Sequence, residues 1–208
     1  MHRPVAGIWD VPDSGTTWAL VVTALAFFTG GLVGFALTSR IEGQAAESLT
    51  LYVETFLDAI GGGEVGVPAL PGLLWQILRW PALTVVFSFT AFGVLGIPAL
   101  FAVRGFLFSF SVAAFIRVMG GFGGLVGAVV FGLTGAVAIP ALFVLGVQGL
   151  TASRRLAGRA LGDGKARVTY GKRYFFRCGL CAAAHLVCVV LEYTAVPLLA
   201  AALSGLRS

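Results

Sequence analysis

The stretch "RCGLCAAAHLVCVVLE", Arg177 to Glu192, places Cys178, Cys181, His185, Cys188 and Glu192 at spacings of 3, 4, 3 and 4. On a helix that pattern draws one stripe. Thiol, imidazole and carboxylate are all metal-ligand types, and Cys181 and His185 stand one turn apart. Tetrahedral zinc needs ligands converging on a point, and a single straight helix carries the remaining donors away along its axis. The stripe therefore reads as a polar seam facing neighbouring helices, with His185 and Glu192 hydrogen-bonded there. No metal and no other cofactor is expected. His2 and His185 are the only histidines, which leaves little for acid–base work. The sequence has no H-E-x-x-H, G-x-S-x-G or G-x-x-x-x-G-K-[ST] motif, and "GGFGGLVG" (Gly120–Gly127) lacks the third glycine of a dinucleotide loop. The reading is non-enzymatic. An intramembrane protease pairing Ser109 or Ser111 with His185 ranks last among the alternatives.

The elements that must position these groups follow from composition. The 208 residues are 58% hydrophobic and 11% charged, and mean hydropathy is +0.96. A soluble domain is nearer ~25% charged. So much apolar surface requires the bilayer as solvent. The expected fold is an all-α integral membrane protein, residues 1–208 forming one polytopic domain. About five transmembrane helices are expected, over 16–38, 81–103, 105–119, 123–150 and 178–203. Residues 41–80 are expected to form an outer amphipathic segment and residues 151–177 a basic cytoplasmic loop. The first 17 residues hold Asp10 and Asp13 against Arg3, so the first apolar run is expected to be retained rather than cleaved as a signal. The cysteines give no sign of a secreted disulfide framework.

Within the outer segment, Leu49, Val53, Phe56, Leu57 and Ile60 recur at helical spacing, and Gly61-Gly62-Gly63 ends the pattern. That face is expected either to lie on the membrane surface or to dock an extracytoplasmic partner. Trp75 and Trp80, beside Arg79, read as an interfacial belt. Gly30 and Gly34 form the G-x-x-x-G spacing that lets helices approach closely.

Eight of the 14 basic residues lie between Arg154 and Arg177, and five of the nine acids lie between Glu42 and Glu64. Basic loops face the cytoplasm. This arrangement puts the N-terminus inside, the acidic segment outside and the C-terminus outside. A re-entrant hairpin split at Pro140 would reverse the parity. Arg104 then falls at a cytoplasmic turn between the second and third spans, loosened by Pro98 and allowed to reverse by Gly105. At a turn it snorkels. At mid-membrane it would cost roughly 2.5–3.5 kcal/mol on insertion scales. Arg117 either snorkels at the outer end of the third span or pairs with an acid from 41–64.

The stretch "GIPALFAVRGFLFSFSVAAFI" resembles the stage II sporulation protein M family. Gly96-Ile97-Pro98 would close one span, and Gly105-Phe106-Leu107-Phe108-Ser109-Phe110 would open the next. "FFTGGLVGFAL" in the first span and Ile139-Pro140-Ala141 in the fourth are similar to further family elements. Leu133-Thr134-Gly135 departs from the Pro-His-Gly type element of many relatives. The resemblance implies a packing role for Gly30, Gly34, Gly96, Pro98, Gly105 and Pro140. It implies a non-enzymatic scaffold in the mother-cell membrane during forespore engulfment, holding peptidoglycan hydrolases such as stage II sporulation proteins D and P on the outer side. A transport or channel component is the alternative, with Arg104, Arg117, His185 and Glu192 available to line a path. Nucleic acid is not an expected partner.

Overall fold

The computed structural model describes residues 14–61, 70–162 and 171–204. Among them six α-helices follow one another: α1 (Ser14–Arg40), α2 (Gln44–Gly61), α3 (Leu70–Ser88), α4 (Gly93–Gly127), α5 (Leu133–Ala160) and α6 (Lys172–Ser204). A π-helical turn, Ala128–Gly132, joins α4 to α5. Among the described residues there is no strand. Five stretches among the described residues are long and apolar enough to cross a bilayer: Gly15–Arg40, Leu70–Ser88, Gly93–Gly121, Leu133–Ala160 and Tyr174–Thr194. The chain is an all-α, multi-pass membrane protein.

Helices form here because every backbone group in lipid needs an internal partner. Hydroxyls inside the spans obey the same constraint. Thr23 donates to the Ala19 carbonyl at 2.9 Å, and Thr84 to that of Trp80 at 2.9 Å. Side chains facing outward, such as Leu25, Phe28, Leu32 and Phe35 on α1, remain exposed for lipid. Side chains facing inward build a core from Ala19, Trp80, Ile97, Leu100, Phe101, Leu142 and Leu150. Phe143 meets Phe101 edge-on at 4.9 Å and Phe27 at 5.6 Å, tying α5 to α4 and α1.

The most extensive helix pair is α1 with α4. Gly30 lies against the Ala102 backbone, Gly34 against that of Phe106, and Gly105 on α4 against that of Phe27. The two helices touch backbone to backbone, the geometry that small residues permit in membranes. From Gly30–Ala102 through Gly34–Phe106 to Thr38–Arg117 the numbers rise on both helices, so they run parallel.

Two ends of the bundle are defined by contacts. At one end, Ser153 donates to the Thr90 carbonyl at 2.7 Å, the Ser88 and Tyr174 hydroxyls lie 2.5 Å apart, and Arg154 stacks over Trp18 at 4.6 Å. At the other, Arg117 on α4 donates to the carbonyls of Thr38 and Ile41, just where α1 stops.

Several sequence expectations are corrected. The spans expected at 81–103 and 105–119 are instead Leu70–Ser88 and Gly93–Gly121, and the reversal falls at 89–92. Arg104 is no turn marker; it sits inside an unbroken part of α4. Gly96-Ile97-Pro98 opens α4 rather than closing a span, and Gly105 lies within the same helix. Pro98, the sixth residue of α4, forgoes the bond to the Val94 carbonyl, a loss that membrane helices tolerate. The segment expected to lie outside the membrane, 41–80, overlaps a span, because α3 already begins at Leu70. The reversal expected at 120–123 does fall there, just before the expected fourth span, 123–150. Gly120 takes φ 62° and ψ −141°, which kinks α4. Beyond the π-helical turn, α5 then passes through Pro140 without a break, against the hairpin alternative. Much of the expected 151–177 loop is helix: α5 continues to Ala160 and α6 starts at Lys172.

Candidate functional site

Arg104 lies about 16 Å along α4 from Gly93, at ~1.5 Å per residue. That is mid-depth in a hydrocarbon core of ~30 Å. His185 lies about as far along α6 from Tyr174. The fold brings the two together. They line one cavity, enclosed by α3, α4, α5 and α6, with Ile77, Trp80, Thr134, Ala138, Leu142, Cys188 and Glu192. The open space suits roughly two water molecules.

Each wall has a local reason. Trp80 is only 8% exposed and turns into the bundle. It is not an interfacial residue, which corrects the expected belt. The Arg104 guanidinium lies 5.3 Å from its ring centroid and that of Arg79 lies 5.1 Å away. An indole face attracts cations through its quadrupole, more strongly where water is scarce. The Trp80 indole N–H and the Arg79 Nε are buried without a hydrogen-bond partner.

On α6 the predicted stripe does face the bundle. Cys181, His185 and Cys188 are buried, with His185 at 2% exposure. The three thiols, including half-buried Cys178, are free. The His185 Nδ1 lies 2.7 Å from the Cys181 carbonyl oxygen. A carbonyl only accepts, so Nδ1 carries the proton and the neutral ring offers Nε2 as an acceptor. The imidazole is thus oriented by its own helix rather than by a neighbour. Cys188 Sγ donates weakly to the Thr134 carbonyl at 3.6 Å and links α6 to α5. Glu192 faces the same cavity. Among the described residues, no three histidine, cysteine or acidic side chains form a metal-binding group.

The expected partner face is only partly assembled. Val53 is 1% exposed, and α2 packs on α6 and α4. Leu49 is half-buried on the same helix. The apolar stripe therefore turns inward at this point, while Tyr52 stands 70% exposed and Trp75, on α3, 71% exposed. The side chains of Phe56, Leu57 and Ile60 lie outside the described residues.

The packing residues occupy contact points. Gly96 abuts the Phe87 ring, and Gly30, Gly34 and Gly105 form the α1–α4 seam. Pro140 is exposed. Ser109 sits against Gly31 of α1. Arg117 caps α1, and among the described residues it pairs with no acid.

Sequence reasoning grouped Arg104 with His185 and Glu192 only in the transport alternative, and its main reading placed Arg104 at a turn, away from them. The polar group Ser88, Thr90 and Gly93 was the signal for the true turn. Thr90 donates back to the Phe87 carbonyl at 3.1 Å there, which closes a short reversal without any charge. No protein-family model, curated protein or solved structure matches the chain.

Proposed function

We propose that this chain is a non-enzymatic membrane scaffold that positions extracytoplasmic cell-wall hydrolases, the role implied by its resemblance to the stage II sporulation protein M family. The observation that carries the reading is the seating of α2. Val53 pins this amphipathic helix to the bundle, and Leu51 and Tyr52 are left exposed beside it. Trp75 adds an exposed indole from the first turns of α3. A rigidly held helix with exposed aromatic side chains is a suitable docking element, since aromatics dominate binding energy at interfaces. On this reading α2 lies outside. The end that carries Arg154, Arg155 and Arg159 is then cytoplasmic, as the positive-inside rule requires. The N-terminus is inside and the C-terminus outside. Sporulation, engulfment and the two hydrolase partners rest on the resemblance alone.

Affinity capture of the tagged chain from gently solubilised sporulating cells tests the proposal. Wall hydrolases should co-purify in fixed proportion, and Leu51→Asp with Tyr52→Asp should release them while the chain stays folded. Capture that is indifferent to those changes, or that yields no hydrolase, overturns it.

The mid-membrane cavity favours a second reading, a transport component. Intramembrane ionisable groups commonly mark ion pathways. Solute flux in reconstituted vesicles, abolished by Arg104→Met, is the outcome this reading requires.

A further inference from the structure

We propose that the cavity between α3, α4, α5 and α6 binds a small inorganic monovalent anion, chloride or a halide of similar size, with the Arg104 guanidinium as its main donor. Binding is independent of both functional readings, because an anion held in place contributes to structure whether or not anything crosses the membrane.

Charge is the first argument. The charged and titratable groups around the site are Arg79 on α3, Arg104 on α4, and His185, Cys188 and Glu192 on α6. Thr134, from α5, brings no charge. Two guanidinium groups flank the Trp80 ring, against one carboxylate lining the cavity. Among the described residues, no ion pair within 4 Å joins Arg104 to Glu192. In the lining Arg104 and Glu192 balance, and Arg79, on the same indole but outside the lining, leaves the neighbourhood with one excess cation in a medium that penalises unpaired charge. Water supplies dipoles to such a group but no compensating charge.

Hydrogen bonding is the second. Arg104 has no hydrogen-bond acceptor among the described residues. The Trp80 indole N–H and Arg79 Nε are buried and unpaired as well. A guanidinium offers five donors in a planar fork. Of these, the Arg104 and Trp80 side chains line a space shared with Glu192 and His185, while Arg79 lies outside that lining. An acceptor ion completes the set.

Size is the third. Space for roughly two waters admits a single halide, with or without one water, and excludes phosphate esters and organic acids of any length.

The test uses the full chain purified in detergent, exchanged into sodium gluconate. Sodium chloride or bromide is titrated in at constant ionic strength while thermal unfolding is followed. The midpoint should rise and saturate with either halide. Arg104→Met should lose the halide-dependent rise. Glu192→Gln, which removes the competing carboxylate, should shift saturation to several-fold lower halide. A purely structural role for Glu192 does not predict that tightening. If Arg104→Met fails to fold, the Glu192→Gln titration decides alone: tightening supports the site and an unchanged midpoint concentration overturns it. Absence of a saturating rise in the unmodified chain means water fills the cavity and overturns the proposal. A rise that persists in Arg104→Met places the halide elsewhere and overturns it equally.

Discussion

The guanidinium of Arg117, far along α4, donates to the carbonyl of Thr38 in the last turn of α1. Helix ends leave carbonyls without partners, and near lipid those carbonyls need a donor. The same side chain reaches the Ile41 carbonyl, so one residue closes the end of a parallel helix pair. Arg117→Met should therefore lower stability by about 1.5–3 kcal/mol, the range for hydrogen bonds to charged groups. Arg117→Lys should recover only part of the loss, because an ammonium is a point donor and not a fork. Thermal unfolding in detergent measures both.

The α1–α4 seam makes a second prediction. A Cβ at Gly30 overlaps the Ala102 carbonyl, and backbone cannot swing aside as a side chain can. Gly30→Val should cost at least about 1–3 kcal/mol, the usual penalty of overpacking. Gly15, with open space around it, should accept Gly15→Ala with little change under the same assay.

Turn placement is testable by labelling. In a chain with Cys178, Cys181 and Cys188 replaced by alanine, a single cysteine at Phe92 should react with a membrane-impermeant maleimide. It should react from the same side as one at Leu161, since both positions are exposed at the same end of the bundle. A cysteine at Tyr52 should react from the opposite side, and one at Val103 should stay protected in lipid from both. Strong labelling at Val103 would restore the turn to Arg104.

Ser153 supplies a fourth test. Its hydroxyl donates to the Thr90 carbonyl at 2.7 Å and so fastens the 89–92 turn to α5. Ser153→Ala should cost about 1 kcal/mol, the net worth of a typical hydrogen bond. The loss should show as faster amide exchange at 89–92 before any change in the core.

Much of this architecture was legible because lipid imposes simple rules. Apolar length gave five spans, and the G-x-x-x-G spacing at Gly30 and Gly34 pointed to residues that do meet another helix. The 3–4 spacing of Cys181, His185 and Cys188 identified an inward face of α6. What failed was the assumption that a charge in an apolar run marks an aqueous turn. Arg104 breaks it because Trp80, three helices' worth of packing and a polar cavity surround it. Those neighbours come from positions remote in sequence, and one-dimensional hydropathy contains no record of them. Trp80 was misread for the same reason: a tryptophan beside an arginine looks interfacial until the second guanidinium is seen on its ring.

The partnership of α1 with α4 also sets an order of events during synthesis. The first helix to enter the bilayer has no backbone-deep companion in α2 or α3, the elements made next. Its glycine face waits in lipid until α4 arrives, already oriented parallel by the intervening crossing. A chain released before Gly105 is made would leave that face unsatisfied and expose it to quality-control proteases or to other small-residue helices. The whole bundle is thus committed only when its third crossing, α4, is in place.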